Sequence, residues 1–592
     1  MSMTKKLVGR VYDLSGAITR YPCTCMFLLL GTIVNTVSIY REVEYEKQLL
    51  TCAVGAIFCA VIQMIYERYF IKQKIRIFMY LAGFVLILCY YYLLLAAPEL
   101  SLEMRIRTGA ALLALFFAYI LVPSIKSRVS FNESFMIMFK SFFVSVFYAG
   151  VLYGGISLIL SAIQNLIYPI GSKFYGYSAT WVFAMFTPLF FISQIPVYPG
   201  RKEQVAEDGS GQAEKIKKAA GCSRFLEILI SYIIIPLAEI FTLILIIYIA
   251  RNVRGEFWTN NLLEPMLVSY AVAIILISIL SSRLDNKFCS FFRTIFPKVM
   301  IPIVLFQIAS SILSILATGF THTGYFVLLF GIFAVTAGVV LSLGKVEKNG
   351  IVAGLLIGFL IFSIIPPVDA FTISKLSQQN VLEQVLVKNG MLKGNKISKV
   401  STISNDDKYQ IISAVQYLER MKYTEKISWM PKDFDVYEDF YNTFGFYEYD
   451  AVIDKNRSVT VFLGEQEAIQ LTDFEYMAHT YINSNETMKP LICAITHDGI
   501  QYTLEKRKIK DNFELVLSDE NKNELIVFDT KEIFDRYQSY AVEDKELTQE
   551  EATFYGENEK IGMSVVVQES SLYYSDTDMT YFSNFYIFLN FK

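Results

Sequence analysis

Residues 225–250 read FLEILISYIIIPLAEIFTLILIIYIA. A helix rises about 1.5 Å per residue, so roughly 20 apolar residues cross the hydrocarbon core of a bilayer. This stretch is long enough, and it carries Pro236 and Glu239 near its middle. Ten further apolar runs surround it, near 22–40, 48–66, 77–97, 108–125, 141–163, 179–197, 266–282, 299–317, 326–343 and 351–365. The expected class is an all-α polytopic transmembrane bundle of about 11 helices, followed by an α+β domain.

Composition agrees. The chain has 592 residues, 54% hydrophobic and 18% charged, against about 25% charged in soluble domains. Residues 1–368 hold 30 Lys/Arg and 18 Asp/Glu, and residues 369–592 hold 23 and 38. A basic membrane part thus precedes an acidic soluble part, and the acidic part argues against a nucleic-acid partner. Three divisions follow: an N-terminal segment 1–21, a helical bundle 22–368 with a linker near 198–224, and a domain 369–592.

Loop charge orients the stack. With the N-terminus inside, the inside segments hold 23 Lys/Arg and the outside loops hold 7. Cytoplasmic loops collect Lys and Arg, so the N-terminus is expected in the cytoplasm. An odd number of spans then puts 369–592 outside. The first span is expected to be retained, because no small-x-small cleavage site follows it. Gly200–Gly221 reads as a flexible cytoplasmic linker.

Beyond Pro366-Pro367 the texture changes. Ser404 with Asp407 three residues on suggests a helix start, and Ile411, Ile412, Val415 and Leu418 continue the helical spacing. Strands are expected at 458–463, 491–496, 500–505, 513–518, 524–528 and 563–568, with a short helix near 531–540. His497-Asp498-Gly499 suits a hairpin turn.

Glu239 is the most informative candidate residue. A carboxylate in mid-membrane is costly unless it meets protein, water or a proton. It reads as a proton or cation site, as the wall of a polar cavity, or as a protonated acid bonded to a neighbouring helix. Pro236 frees a backbone carbonyl one turn earlier. Asn35, Gln63 and Gln307 are further polar side chains within spans, and such groups commonly join helices. Gly350, Gly354 and Gly358 form one small-residue stripe, and Gly150 and Gly154 another; both read as packing surfaces.

Catalytic constellations are not evident. The sequence contains no HExxH, GxSxG or Walker A motif, and no Cys/His spacing suggests a metal or cofactor. No cofactor is expected. The acidic residues Asp433, Asp435, Glu438 and Asp439 lack EF-hand spacing and read as a solvated face, as do Asp576 and Asp578.

Four blocks resemble a family of bacterial polytopic membrane proteins defined only as a domain of unknown function. They are 228–253 around IPLAEIF, 319–333 (GFTHTGYFVLLFGIF), 366–392 with Ser377, Gln378 and Leu382, and 403–421 leading to Phe444-Gly445-Phe446. They cover the chain from about 228 onward. The resemblance implies a permease-like bundle in the bacterial cytoplasmic membrane with an extracytoplasmic C-terminal domain, and it supplies no activity. Three functions stay open: an envelope sensor or scaffold whose outer domain binds a protein or polymer, a permease using Glu239, and a transferase on a lipid-linked substrate near His322, Glu99 and Glu103. The lipid bilayer is the one partner common to all three.

Overall fold

The computed structural model describes residues 14–592 except 97–99, 200–209, 253–263, 401–402, 433, 448–457, 465–466, 470–473, 485–489, 510–511, 539–543 and 575–578. Glu99, Asp433, Asp576, Asp578 and the first half of the 200–221 linker therefore lie outside the described residues. The chain divides into two compact units. One comprises residues 1–384 and 414–427, the other 385–413 and 428–592.

In the first unit, 11 helices among the described residues are long and apolar enough to cross a membrane. They include α1 (Pro22–Arg41), α2 (Glu46–Tyr69), α3 (Gln73–Ala96), α4 (Leu102–Leu121), α5 (Phe131–Leu166) and α6 (Lys173–Ser193). A surface helix α7 (Ser210–Ala220) precedes α8 (Arg224–Arg251), α9 (Glu264–Leu280), α10 (Lys287–Thr318), α11 (His322–Leu343) and α12 (Gly350–Ile364). The chain is a multi-pass membrane protein, as the apolar runs require.

Several helices outrun their apolar cores. α5 has 36 residues where the sequence suggested 141–163, and α10 has 32 where it suggested 299–317. Hydropathy stops at the first charges, whereas backbone hydrogen bonding does not. The extension of α5 starts at a capping box, in which Ser130 and Glu133 satisfy each other's backbone N–H groups. The linker expectation also needs correction: residues 210–220 are helical. Ile216 and Ala220 are buried, and Lys140 Nζ donates to the Ala219 and Gly221 carbonyls at 2.7 Å each, closing the helix end.

Two π-helical turns interrupt the spans, at Trp181–Phe186 and Leu229–Ile234. Each is followed by a proline, Pro188 or Pro236. Proline has no N–H for the bond one turn back, and a widened turn re-satisfies neighbouring groups: the Ile235 N–H bonds to the Ile230 carbonyl.

α13 (Ala370–Lys388) and α14 (Asn405–Arg420) follow the spans. The Ser404 hydroxyl accepts from the Asp407 N–H at 3.2 Å, as its spacing suggested. The Asp407 carboxylate instead pairs with Lys388 at 2.8 Å. Within the second unit, α15 (Val436–Phe444) buries Phe440 and Phe444. The Asp435 carboxylate accepts from the Tyr437 N–H, so this acid serves the start of α15.

Apart from the two-residue strands β1 (Leu392–Lys393) and β2 (Lys396–Ile397), the strands form two sheets. One is a four-stranded antiparallel meander of β5 (Leu491–His497), β6 (Ile500–Ile509), β7 (Asn512–Ser518) and β8 (Glu524–Asp529). Asp498 and Gly499 both have positive φ, 50° and 79°, in the turn joining β5 to β6, as a two-residue hairpin demands. The other is six-stranded, with β4 (Tyr476–Asn483), β12 (Met579–Phe591), β11 (Ile561–Tyr574), β3 (Ser458–Leu463) and β9 (Asp544–Leu547) in that order. β10 (Thr553–Glu557) also pairs with β11. The sheets share a core that includes Val461, Ile482, Leu504, Leu515, Val567, Phe585 and Ile587. The helix Lys531–Gln538 adds Ile533, Phe534 and Tyr537 to it.

Candidate functional site

The intramembrane candidates separate in space and in role. Glu239 is half-buried at the margin of the buried face of α8, between exposed Leu237 and Ile240. Asn35 donates to the Thr180 hydroxyl at 2.9 Å and ties α1 to α6 just before its π turn. Gln307 is buried with neither side-chain atom bonded to a described group. Gln63 belongs to a polar network: it donates to Glu67 at 2.7 Å and accepts from Tyr80 at 2.8 Å and Arg76 at 3.1 Å. Glu67 also receives Arg20 through two bonds of 2.8 Å. Arg20 in turn caps the Ile195 carbonyl at 2.7 Å, so this network locks one end of the bundle.

The two glycine stripes differ. A Cβ on Gly350 would meet Phe131 at 3.2 Å, and one on Gly354 would meet Leu121 only at 3.9 Å. A Cβ on Gly358, Gly150 or Gly154 would meet nothing within 4 Å. Tight glycine packing occurs instead between α10 and α11, where a Cβ on Gly338 would lie 3.2 Å from the Pro297 carbonyl oxygen.

Another polar constellation lies at the end of the bundle where α4 and α11 begin and α12 ends. Arg107, in the first turns of α4, pairs with Glu103 at 2.9 Å and with Asp369 at 2.6 Å, and it caps the Ile364 carbonyl. The Asp369 side chain is fully buried. It also accepts from the N–H groups of Phe371 and Thr372, at 3.0 and 3.1 Å, and from the Thr372 hydroxyl at 2.6 Å. A carboxylate here meets the orphan donors of the α13 N-terminus. Burial alone would push the Asp369 carboxyl upward, but the Thr372 bonds and the Arg107 charge hold it below its ordinary value.

A second chain of bonds adjoins the first. His322 is not in a loop, as its sequence neighbourhood suggested, but opens α11 and is buried. Thr321 caps that helix, which pulls the histidine into its first turn. The Tyr417 hydroxyl sits 3.1 Å from His322 Nδ1, accepts from the His322 N–H at 3.0 Å and donates to Ser374 at 2.8 Å. Phe371 touches both groups: the Arg107 guanidinium lies 4.9 Å from its ring centre, and the His322 ring stacks on it at 5.9 Å. Tyr423 donates to Glu103 at 2.8 Å. Burial, then this bond, raises the Tyr423 phenol well above its ordinary range.

The Gly319–Phe320 corner is held by α13. The Ser377 hydroxyl accepts from the Phe320 N–H at 2.9 Å, and Gln378 donates to the Thr318 and Phe320 carbonyls at 3.0 Å each. Gly319 has φ 80° and stands against Val381, Gln378 and Ser377, so a side chain there meets strain and a clash together. Three of the four family-like blocks therefore converge: 319–333, 366–392 and 403–421. Among the described residues no group of three His, Cys, Asp or Glu side chains could hold a metal ion. Glu103 and His322, weighed as transferase residues, share this region, but the Glu103 carboxylate is already engaged by Arg107 and Tyr423.

A family model described as "Domain of unknown function (DUF4153)" matches residues 25–394. The chain belongs to this family. The DUF4153 match begins well before 228, where the residue-level resemblance was first legible, so the N-terminal spans belong to the shared domain. It also ends before block 403–421 and before β3. The shared DUF4153 part thus contains Arg107, Glu103, His322, Asp369 and Ser374, whereas Tyr417 and Tyr423 lie beyond it. No curated protein and no solved structure matches the chain.

Proposed function

We propose that this protein is an envelope sensor or scaffold that joins a membrane bundle to an extracytoplasmic binding unit. Loop charge supports the orientation, with the 23 basic residues of the inside segments facing the cytoplasm. One observation carries the functional reading. The second unit has its own two-sheet core, yet one face of its six-stranded sheet presents exposed side chains. Along edge strand β4, Met477, His479 and Tyr481 are exposed and alternate with half-buried Ala478, buried Thr480 and buried Ile482. Beside them on β12, His479 pairs with Tyr586 and Tyr481 with Asn584. Exposed Met477 and Tyr481 are of the side-chain types that recognition surfaces favour. Both large sheets of the unit follow the segment matched by the family, which suits a common bundle carrying a chain-specific recognition module.

A photo-crosslinking residue at position 481 in the full chain, in intact cells, tests this. The expected result is one discrete adduct with an envelope protein or polymer, absent when the same residue replaces Val387 on α13. No adduct at 481, or the same adducts from both positions, would remove the proposal's basis.

A further inference from the structure

Apolar grooves flank α12. Its α-helical part has 15 residues and so spans only about 22 Å, less than the roughly 30 Å of hydrocarbon around it. One groove of about 280 Å³ runs between α9, α11 and α12, lined by Val268, Phe326, Phe330, Phe359, Leu360 and Ser363 among others. At its Phe326 end it approaches the polar constellation, since the Phe326 and Phe371 rings are 6.2 Å apart, edge to face.

One turn beyond Phe371 on α13, the Lys375 ammonium lies 5.6 Å from the Tyr423 ring centre. Lys426, on the turn Thr424–Lys426, is its like-charged neighbour. Burial, then the Lys426 charge, holds Lys375 below its ordinary pKa, while Glu103 acts in the opposite sense. Neither lysine forms an ion pair among the described residues. Glu103 is the carboxylate facing Lys375, and it is already bonded to Arg107 and Tyr423. Two ammonium groups whose charges act on each other, with the neighbouring carboxylate committed elsewhere, favour a phosphate. An apolar groove that reaches Phe371 through Phe326, one turn along α13 from Lys375, favours an acyl chain.

We propose that this end of the bundle binds one anionic phospholipid, its phosphate held by Lys375 and Lys426 and an acyl chain lying in the groove between α9, α11 and α12. The site depends on the bundle alone and stands whatever the second unit binds.

The test uses the full chain in nanodiscs of phosphatidylcholine with one fifth phosphatidylglycerol, followed by native mass spectrometry during stepwise delipidation. The wild type should retain one phosphatidylglycerol over phosphatidylcholine by roughly tenfold. K375Q/K426Q should lose that preference, and K345Q/K348Q, near the start of α12, should keep it. L360W, which fills the groove, should weaken retention with both lysines intact. Equal retention of the two lipids by the wild type, or an unchanged preference in K375Q/K426Q, would overturn the proposal. So would a preference that survives L360W and is abolished by inorganic phosphate alone, which would mark a free-phosphate site.

Discussion

Asp369 is a buried junction of α13 and α4 that the sequence did not single out. It begins α13, receives Arg107 from α4 and is fully buried. Removing one partner of a buried pair costs about 3–5 kcal/mol, because the other charge is left stranded. Asp369→Asn should therefore lower the thermal midpoint of the detergent-solubilised chain clearly, with a loss near the lower bound because Arg107 keeps Glu103. The pH dependence has a definite sign. The folded carboxyl sits below its unfolded value of about 3.9, so its contribution is complete above that value and is lost as pH falls through it toward the folded pKa. Asp369→Asn should flatten that acid-side loss; an unchanged acid slope would show that the pair contributes nothing. Hydropathy does not mark this residue, because it stands outside the apolar runs. Arg107 and Asp369 lie just past apolar runs, at ends that the span order places on the same side, and that opposite-charge pattern was the usable signal. By contrast, the residues that were singled out serve different places: Asn35 and Gln63 bond neighbouring helices, and Glu239 sits at a helix margin.

At the scale of elements, small residues matter only where a partner helix arrives. Gly338 faces Pro297, Met300 and Ile301 of α10, all within 3.2 Å of where its Cβ would stand. Gly358 and Gly154 face open space. Gly338→Val should cost about 1–3 kcal/mol by overpacking, whereas Gly358→Ala and Gly154→Ala should be neutral or slightly stabilising, since alanine is the better helix former. Thermal unfolding of the three variants gives the ranking; a Gly154→Ala loss as large as that of Gly338→Val would contradict this packing. Spacing alone could not make the distinction, because GxxxG specifies a surface and not its neighbour. Spans were legible because twenty apolar residues are an unambiguous signal, although their polar extensions were not. Strands β4 and β12 were missed for another reason. Ser583 sits buried in the core, hydrogen-bonded to Ser570 at 2.7 Å, and breaks the apolar alternation that would have marked β12.

For the whole molecule, a DUF4153 bundle precedes a β-rich unit whose two large sheets lie beyond the family match. The class was legible from hydropathy, and the family from blocks 228–253, 319–333 and 366–392, which lie within the match. The activity was not legible, because the polar groups around Arg107 and Asp369 engage one another. The proposed function requires that the second unit face away from the cytoplasm. The most direct test places single cysteines in a chain whose eight native cysteines have been replaced, and labels intact cells with a membrane-impermeant maleimide. Tyr437→Cys lies in the second unit at a position 84% exposed, and Lys218→Cys lies on the exposed side of α7. The account predicts that position 437 labels in intact cells and position 218 only after permeabilisation. Labelling at 218 with protection at 437 would invert the topology and contradict the proposed function.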